Sequence, residues 1–477
     1  MTSELTMTKY NSVTDRLVER LREICGAPYV IFNDAERLEP YSHDEIPGTH
    51  YRHQPDVVVR PASTDQVAAI MRLANDERIP VTPRGAGSGL SGGAVPVFGG
   101  IVIAMDRFNR IVELDTANMT ITVEPGVIAN DINEYLKPHG LFYAGYPMSV
   151  EMCQIGGNVA ENAGGGKAVK YGVTSRYVLG LETVLPDGRV LNLGGKLLKD
   201  VTGYNLIPLM VGSEGTLGVF TRIILKVIPR PRYQHDLLVL FPDRDRAVAA
   251  VPAMITGSGI TPVSIEFMDG EAFRQGCRWL NDPLPLKNSG AVLLVSVDGN
   301  DPETLADQCE ALGIYLEKEG ACGIYVADTK AESERIWKIR RSIPEAFSQL
   351  YPRQSGEDIV VPCASIPAVV AKCGELARKY GVAIPCYGHA GDGNVHSRIC
   401  APAGWSDEQW NETLPKLLRD LYAEVTRLGG RISGEHGIGC KRKPYMETVV
   451  SREYLDTLRA IKNALDPNGI MNPGKIF

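Results

Sequence analysis

Residues Thr82 to Gly93 read TPRGAGSGLSGG, and they constrain the fold more than any other stretch of the chain. Gly87-Ser88-Gly89-Leu90-Ser91-Gly92 spells GxGxxG, the glycine pattern of a dinucleotide-binding turn. That turn works only between a strand and a helix, because the helix N-terminus receives the pyrophosphate. A strand-like IPVTPR precedes the glycines, but AVPVFGGIVIAMDRF follows, with a proline, two more glycines and another strand. No acidic residue occupies the ribose position about 20 residues on. Asp106 comes too early, and Glu113 and Asp115 follow a further strand. The segment is therefore not a nicotinamide-cofactor fingerprint. Two readings remain: a glycine turn without a ligand, or a nest of inward-pointing backbone N–H groups that binds an anion, with Arg84 at its mouth.

Two further glycine clusters favour the nest. One is PMSVEMCQIGGNVAENAGGGKAVKYG, Pro147 to Gly172, and the other is KDVTGYNLIPLMVGSEGTLGVFT, Lys199 to Thr221. Permissive backbone spread over about 140 residues suits a long cofactor lying extended across one domain.

The chain has 477 residues, which implies two or three domains. A net charge of -7 and the lack of a basic run argue against nucleic-acid binding. The N-terminal MTSELTMTKYNSVTDRLVERLREIC lacks an apolar signal core and reads as a polar tail followed by an amphipathic helix. No stretch reaches the roughly 18 apolar residues of a membrane span. These features predict a cytoplasmic protein, held at a membrane only through a partner. The ten cysteines form no CxxC, which suits reduced thiols and argues against an iron–sulfur cluster.

Residues 54–230 carry short β-branched runs bounded by Gly or Pro, such as PDVVVRP, GIVIAM and MTITVEPG. One helix, STDQVAAIMRLANDERI, opens on a capping cluster and carries an apolar stripe at helical spacing. PRPRYQH, residues 229–235, marks a boundary. Beyond it a strand–helix–strand rhythm returns three times, from DLLVLF to AIPCYGH, which predicts an α+β domain of ferredoxin-like units. The expected organisation is a cofactor-binding domain over 1–230, a substrate domain over 231–420 and a helical segment over 421–477.

Two other strings carry chemistry. CYGHAGDGNVHSRI places His389 and His396 either side of AGDGNV, and RISGEHGIG supplies Glu435 and His436. Two loop histidines seven apart are often structural. Yet the chain has only eight histidines, and three fall in these two glycine-rich strings. Two imidazoles and a carboxylate with open positions suit zinc, manganese or ferrous iron. Asp392 and Asn394 fit either turn chemistry or the orientation of those histidines. ERIWKIRRSIPEAF reads as a helix with Arg340 and Arg341 near its middle, either a solvated face or a cation for an anionic substrate.

RGAGSGLSGG, IGGNVAENAGG and GSEGTLGV, in this order, closely resemble the FAD-binding domain of vanillyl-alcohol oxidase-type flavoproteins. Within that family they resemble glycolate oxidase catalytic subunits and FAD-linked D-lactate dehydrogenases, with similarity from about residue 50 to 477. The resemblance implies an α+β fold: a two-part FAD-binding domain, a ferredoxin-like substrate (cap) domain and a helical C-terminal segment returning to the flavin. It implies noncovalent FAD. Arg84, Gly85, Gly87, Ser88, Gly89 and Ser91 would hold the pyrophosphate. Pro147, Gly156, Gly157, Ala163 and Gly164 would run beside the isoalloxazine and ribityl chain. Glu214, Gly215, Gly218 and Val219 would close over the adenine side.

The same resemblance implies that His389, His396 and Glu435 ligate a divalent metal, that His436 is the catalytic base, and that Arg340 binds a substrate carboxylate. Relatives acting on D-2-hydroxyglutarate carry a lysine where this chain has Gly356, which weakens the case for a second carboxylate. Arg398, two residues after His396, cuts the other way as a second substrate-facing cation. The expected reaction is metal-assisted, FAD-dependent oxidation of D-lactate or glycolate to the 2-oxo acid. Electrons would pass to an iron–sulfur subunit or an electron-transferring flavoprotein, and a homodimer is allowed. The alternatives are a D-2-hydroxyglutarate dehydrogenase and a noncatalytic flavin relay subunit. The metal and base strings count against the relay.

Overall fold

The computed structural model describes residues 10–48, 50–282, 284, 289–327 and 329–477. The polar tail expected at residues 1–9 lies outside them. The chain divides into two interleaved units. One comprises the chain up to Ala163, Val173–Arg230 and Glu435–Phe477, and the other Gly164–Gly172 and Pro231–Gly434.

The first unit begins with helix α1 (Asp15–Cys25), which buries Leu17, Val18, Leu21 and Cys25. Four strands follow: β1 (Val30–Phe32), β2 (Val57–Val59), β3 (Val81–Arg84) and β4 (Ile101–Ala104). They form a sheet in the order β1-β2-β4-β3, in which β4 runs parallel to both of its neighbours. β2 is Val-Val-Val, and apolar residues fill both of its faces. An all-β-branched run is what a strand covered on both sides requires. Helix α2 (Thr64–Asp76) packs on one face, and its N-cap Ser63 accepts a hydrogen bond from Gln66 N, as the capping cluster predicts.

The second sheet of this unit contains β5 (Ile111–Asp115), β6 (Thr120–Val123), β8 (Val178–Val184), β9 (Val190–Gly194) and β10 (Val219–Lys226). It is antiparallel, in the order β5-β6-β10-β8-β9. A short ribbon joins β7 (Leu141–Phe142) to β11 (Ile228–Pro229). Helix α3 (Ile155–Glu161) carries the central glycine motif. The C-terminus is woven into the same unit. Asn472 N donates to Val81 O (2.7 Å), and Asn472 Nδ2 reaches Gly93 O (2.9 Å) and Glu214 O (2.7 Å).

The second unit is built on seven strands: β12 (Tyr233–Phe241), β13 (Ser264–Asp269), β14 (Ala291–Gly299), β15 (Gly323–Ala327), β16 (Gln354–Val360), β17 (Cys386–His389) and β18 (Asn394–Cys400). Their order is β15-β12-β14-β13-β17-β18-β16, and each neighbouring pair is antiparallel. The first four strands stand in the order fourth, first, third, second, which is the split β-α-β arrangement of a ferredoxin-like unit.

One face of this sheet carries α4 (Gly270–Trp279) and α6 (Lys330–Leu350). Helices α5 (Pro302–Lys318), α7 (Ile366–Tyr380) and α8 (Asp407–Arg427) complete the unit. Phe273, Ile339, Ile343 and Phe347 are fully buried against Met268, Val292 and Leu294. Burying each such side chain stabilises the fold by roughly 1.5–3 kcal/mol. Helix α6 opens on a capping box between Thr329 and Glu332.

The break at Arg230/Pro231 falls within PRPRYQH. The far boundary lies at Gly434/Glu435 rather than at 420. Arg431 exchanges both backbone hydrogen bonds with Val360 (3.0 and 2.8 Å), which keeps 421–434 on the second unit's sheet. Residues 164–172 join that unit too, where Tyr171 Oη bonds Asp298 Oδ2 at 2.7 Å and Lys170 pairs with the same carboxylate.

Candidate active site

Side chains alternate across a strand, so positions of one parity share a face of the second unit's sheet. Register pairs Glu266 with His389, Tyr387 with His396, His396 with Asp358, and Arg398 with Gly356. A row of ionisable groups thus crosses four neighbouring strands. Between β17 and β18 the chain reverses at Gly393 (φ +87°), where a Cβ would strike Val361 O. Glycine is required there to bring His389 and His396 onto facing strands.

The two imidazole rings lie 5.3 Å apart, edge to face. Each has a carboxylate beside its Nδ1. Glu266 Oε1 is 2.6 Å from His389 Nδ1, and Asp358 Oδ1 is 3.9 Å from His396 Nδ1. Asp358 is fully buried and is held in turn. Its oxygens accept hydrogen bonds from Asn394 Nδ2 (2.7 Å), Ser433 Oγ (2.7 Å) and Gly434 N (3.0 Å). Asn394 therefore acts on this row through Asp358. Asp392 serves the turn, with Oδ1 accepting from Asn394 N at 3.2 Å.

Arg340 projects from α6 onto the same row and is only 3% exposed. Its Nε donates to Glu266 Oε2 at 2.8 Å, and its guanidinium lies 5.0 Å over the Tyr387 ring. Its buried Nη2 has no hydrogen-bond partner among the described residues. Burial pushes the Glu266 carboxyl up, but its interactions with His389 and Arg340 outweigh burial and hold it below the ordinary value.

Arg398 differs from the expectation of a free second cation. All three of its side-chain nitrogens have partners: Nη1 bonds Gln354 Oε1, while Nε and Nη2 bond Tyr387 Oη (3.3 and 3.2 Å). It buttresses Tyr387, the ring under Arg340.

In the first unit, β3 runs into the TPRGAGSGLSGG loop, and the next regular element is strand β4, with no helix between them. Gly87 takes φ +74°. The N–H groups of Ala86, Gly87, Ser88, Gly89 and Leu90 have no hydrogen-bond partner among the described residues. A run of unpaired amides of this kind is able to receive an anionic group. Neighbouring groups fix its far end: Gly92 N donates to Asp44 Oδ2 (2.7 Å), and Gly93 N donates to Ser91 Oγ (3.2 Å). Arg84 does not stand at the mouth. Its guanidinium is buried under Gly87, bonded to Pro40 O (2.9 Å), His43 O (2.7 Å) and Ala94 O (3.4 Å).

The middle segment is mixed. Gly157 faces open space, whereas Gly156 is a glycine because a Cβ would strike Pro125. Pro147 is half-buried in the coil after β7. Ala163 is tied to Asn158 and Thr174 by backbone hydrogen bonds (2.8 and 3.1 Å), and Gly164 belongs to the other unit.

In the third segment Glu214 and Gly215 both take positive φ. The Glu214 carboxylate does not point outward toward a cofactor. It accepts the N–H groups of Ile438 (2.7 Å) and Gly439 (2.6 Å), fixing the turn that follows His436. Gly218 and Val219 serve the sheet. A Cβ on Gly218 would fall 2.6 Å from Thr183 Oγ1, and the Val219 side chain lies in the apolar core. Glu435 and His436 lie in this unit, with Oε1 and Nε2 3.7 Å apart.

Glu161 is a further buried acid beneath the same turn. Oε1 lies 3.4 Å from Ser91 Oγ, and Oε2 has no hydrogen-bond partner among the described residues. Burial, with the Glu214 charge nearby, pushes its carboxyl well above the usual range. Sequence reasoning missed Glu161, Glu266 and Asp358. Their signal is an acid inside an otherwise apolar element, as in PVSIEFM and DIVVP.

The strand orders define an α+β protein of two units, and the family matches make it an FAD-linked oxidoreductase. A family model described as "FAD binding domain" matches residues 55–194, and "FAD linked oxidases, C-terminal domain" matches residues 230–476. The chain is 38% identical to glycolate oxidase subunit GlcD of Bacillus subtilis (strain 168), over 98% of this chain and 97% of that one. It is 36% identical to D-lactate dehydrogenase of Anaerostipes hadrus, over 98% of each. Among solved structures, p-cresol methylhydroxylase with substrate bound superposes with a TM-score of 0.78 at 18% identity, over 98% of both chains. The chain belongs to the FAD-linked oxidase family, and its fold is that of the p-cresol methylhydroxylase type. No helix among the described residues is long and apolar enough to cross a membrane.

Proposed function

We propose that this protein oxidises a small D-2-hydroxy monocarboxylate, D-lactate or glycolate, to the 2-oxo acid and passes the electrons to a partner protein. The observation that carries the reading is the row on the second unit's sheet: two carboxylate-backed imidazoles beside a buried arginine with an unpaired nitrogen. The donor set fits a divalent ion. On the second unit's sheet His389 and His396 supply imidazoles, and Glu266 and Asp358 lie beside them as the outer partners that metal-bound histidines ordinarily have, while Glu435 is the carboxylate that the family resemblance assigns. The unpaired amides of Ala86–Leu90 fit a pyrophosphate, and the open side of Gly157 leaves room beside a cofactor.

When bound, FAD supplies a hydride acceptor and the divalent ion supplies a Lewis acid that acidifies the substrate hydroxyl. Arg340 binds the substrate carboxylate through its terminal nitrogens. His436 accepts the hydroxyl proton at a ring nitrogen, a role suited to a neutral imidazole. Glu214 holds the turn after His436 and so limits where that ring can sit. Arg398 has its nitrogens engaged by Gln354 and Tyr387, so Arg340 is the better placed of the two arginines for a substrate carboxylate, which favours a monocarboxylate. The similarity to a protein named as a glycolate oxidase subunit supports a partner as the electron acceptor.

Anaerobic flavin bleaching with D-lactate, glycolate and D-2-hydroxyglutarate tests the reading. D-lactate or glycolate should bleach metal-replete protein at least about tenfold more efficiently than D-2-hydroxyglutarate, and His436→Ala should slow bleaching about 10²–10⁴-fold with FAD retained. Bleaching by none of the three sinks the proposal, and a preference for D-2-hydroxyglutarate moves the assignment to the dicarboxylate.

A further inference from the structure

Glu266 sits at 0% exposure in β13, a strand flanked on both sides by other strands of the sheet. A carboxylate there is costly. Exchanging a buried ion pair for apolar residues of similar volume is often neutral or stabilising, so fold stability does not account for the residue. Its two oxygens are divided between two groups. Oε1 takes His389 Nδ1 (2.6 Å) and Oε2 takes Arg340 Nε (2.8 Å). A neutral imidazole that donates from Nδ1 carries its lone pair on Nε2. An arginine whose Nε is occupied keeps its terminal nitrogens for another carboxylate. The Tyr387 ring lies against the guanidinium at 5.0 Å and limits its swing, and Arg398 holds the Tyr387 hydroxyl.

We infer that Glu266 is a positioning residue that couples the metal site to the substrate-carboxylate site, setting the His389 tautomer and the Arg340 reach with one side chain. The inference rests on the proposed function and extends it. A 2-hydroxy acid carries its hydroxyl and carboxylate on adjacent carbons, so the two sites must keep a fixed separation. A carboxylate shared between their anchors keeps it. Neither acid oxygen touches the substrate in this arrangement.

The near-isosteric Glu266→Gln separates the possibilities. An amide has one acceptor oxygen, so it serves His389 or Arg340 but not both. Its NH₂ facing Nδ1 would force the proton onto Nε2. Metal-stripped protein titrated with Mn²⁺ should bind about 10–100-fold more weakly in this variant, the range typical of lost outer partners of metal-bound histidines. KM for D-lactate should rise several-fold, while FAD content and melting temperature stay near wild type. Arg340→Lys is the control: it should raise KM and leave Mn²⁺ affinity unchanged. Glu266→Asp keeps the charge and should bind Mn²⁺ more tightly than Glu266→Gln. If Glu266→Gln fails to fold, the same two readouts apply to Glu266→Asp, and a Mn²⁺ affinity and a KM that both stay within about twofold of wild type in the folded variant overturn the inference. Wild-type protein that binds no Mn²⁺ refutes the metal reading itself, a result distinct from a variant that binds as well as wild type.

Discussion

Glu161 and Glu214 place two acids under one turn, and their partners differ. Glu214 has two backbone N–H donors, whereas among the described residues Glu161 has only Ser91 Oγ, on one oxygen. Burial, reinforced by the Glu214 charge, lifts the Glu161 pKa well above its ordinary value. Between the unfolded and folded pKa values, the folded state keeps a proton that the unfolded chain has released. Stability is therefore full below about pH 4.3, the ordinary glutamate value, and declines as pH rises toward the folded pKa. Glu161→Gln copies the protonated acid and removes that decline. Melting curves should show the variant a few degrees more stable than wild type at about pH 8 and nearly equal to it at about pH 4. A gain of the same size at both pH values would show that the acid is not protonated in the fold.

At the scale of elements, the TPRGAGSGLSGG loop depends on a backbone that no side chain obstructs. Gly87 combines φ +74° with a Cβ direction that runs into the Arg84 guanidinium, and three carbonyls hold that guanidinium in place. Gly87→Ala pays both in strain and in displacement of Arg84, so the amides of Ala86–Leu90 should lose their common direction. The variant should purify with less than about a tenth of the wild-type FAD absorbance at 450 nm, an order-of-magnitude loss for roughly 1–3 kcal/mol of backbone strain. Circular dichroism should stay near wild type. Full FAD occupancy would show that the loop tolerates the change.

The same loop illustrates how far the sequence is legible. The glycine spelling and the strand after it are local, and together they reject the nicotinamide reading before any coordinates. The strand–helix rhythm after PRPRYQH is local too, and it becomes the ferredoxin-like strand order. The partners of Arg84, Glu214 and Arg398 come from segments 10 to 225 residues away. Each reads from the sequence as a free charge beside a ligand loop, and each is consumed by a distant backbone or hydroxyl. The register that places Glu266 opposite His389 spans 123 residues. No periodicity reports such a pairing.

At the scale of the molecule, most residues proposed for the two cofactors divide between the units, the exception being Glu435, proposed for the metal but part of the first unit. The amide nest, α3 and the Glu214 turn belong to the first unit, while His389, His396 and their backing acids belong to the second. On the proposed assignment, FAD retention would rest on backbone amides and glycine conformations, which a chelator does not touch. Metal retention would rest on two imidazoles, one hydrogen-bonded to Glu266 and the other with Asp358 3.9 Å away. The two affinities should therefore come apart. Dialysis against EDTA should leave FAD at wild-type stoichiometry, with an unchanged melting temperature for FAD release. D-lactate should then no longer bleach the flavin, and adding Mn²⁺ or Zn²⁺ should restore bleaching. Dithionite, which needs no substrate site, should bleach stripped and replete protein alike. Loss of FAD together with the metal would mean that one cofactor's site holds the other's, and bleaching by D-lactate after complete removal of metal would assign acidification of the hydroxyl to His436 and Arg340 alone.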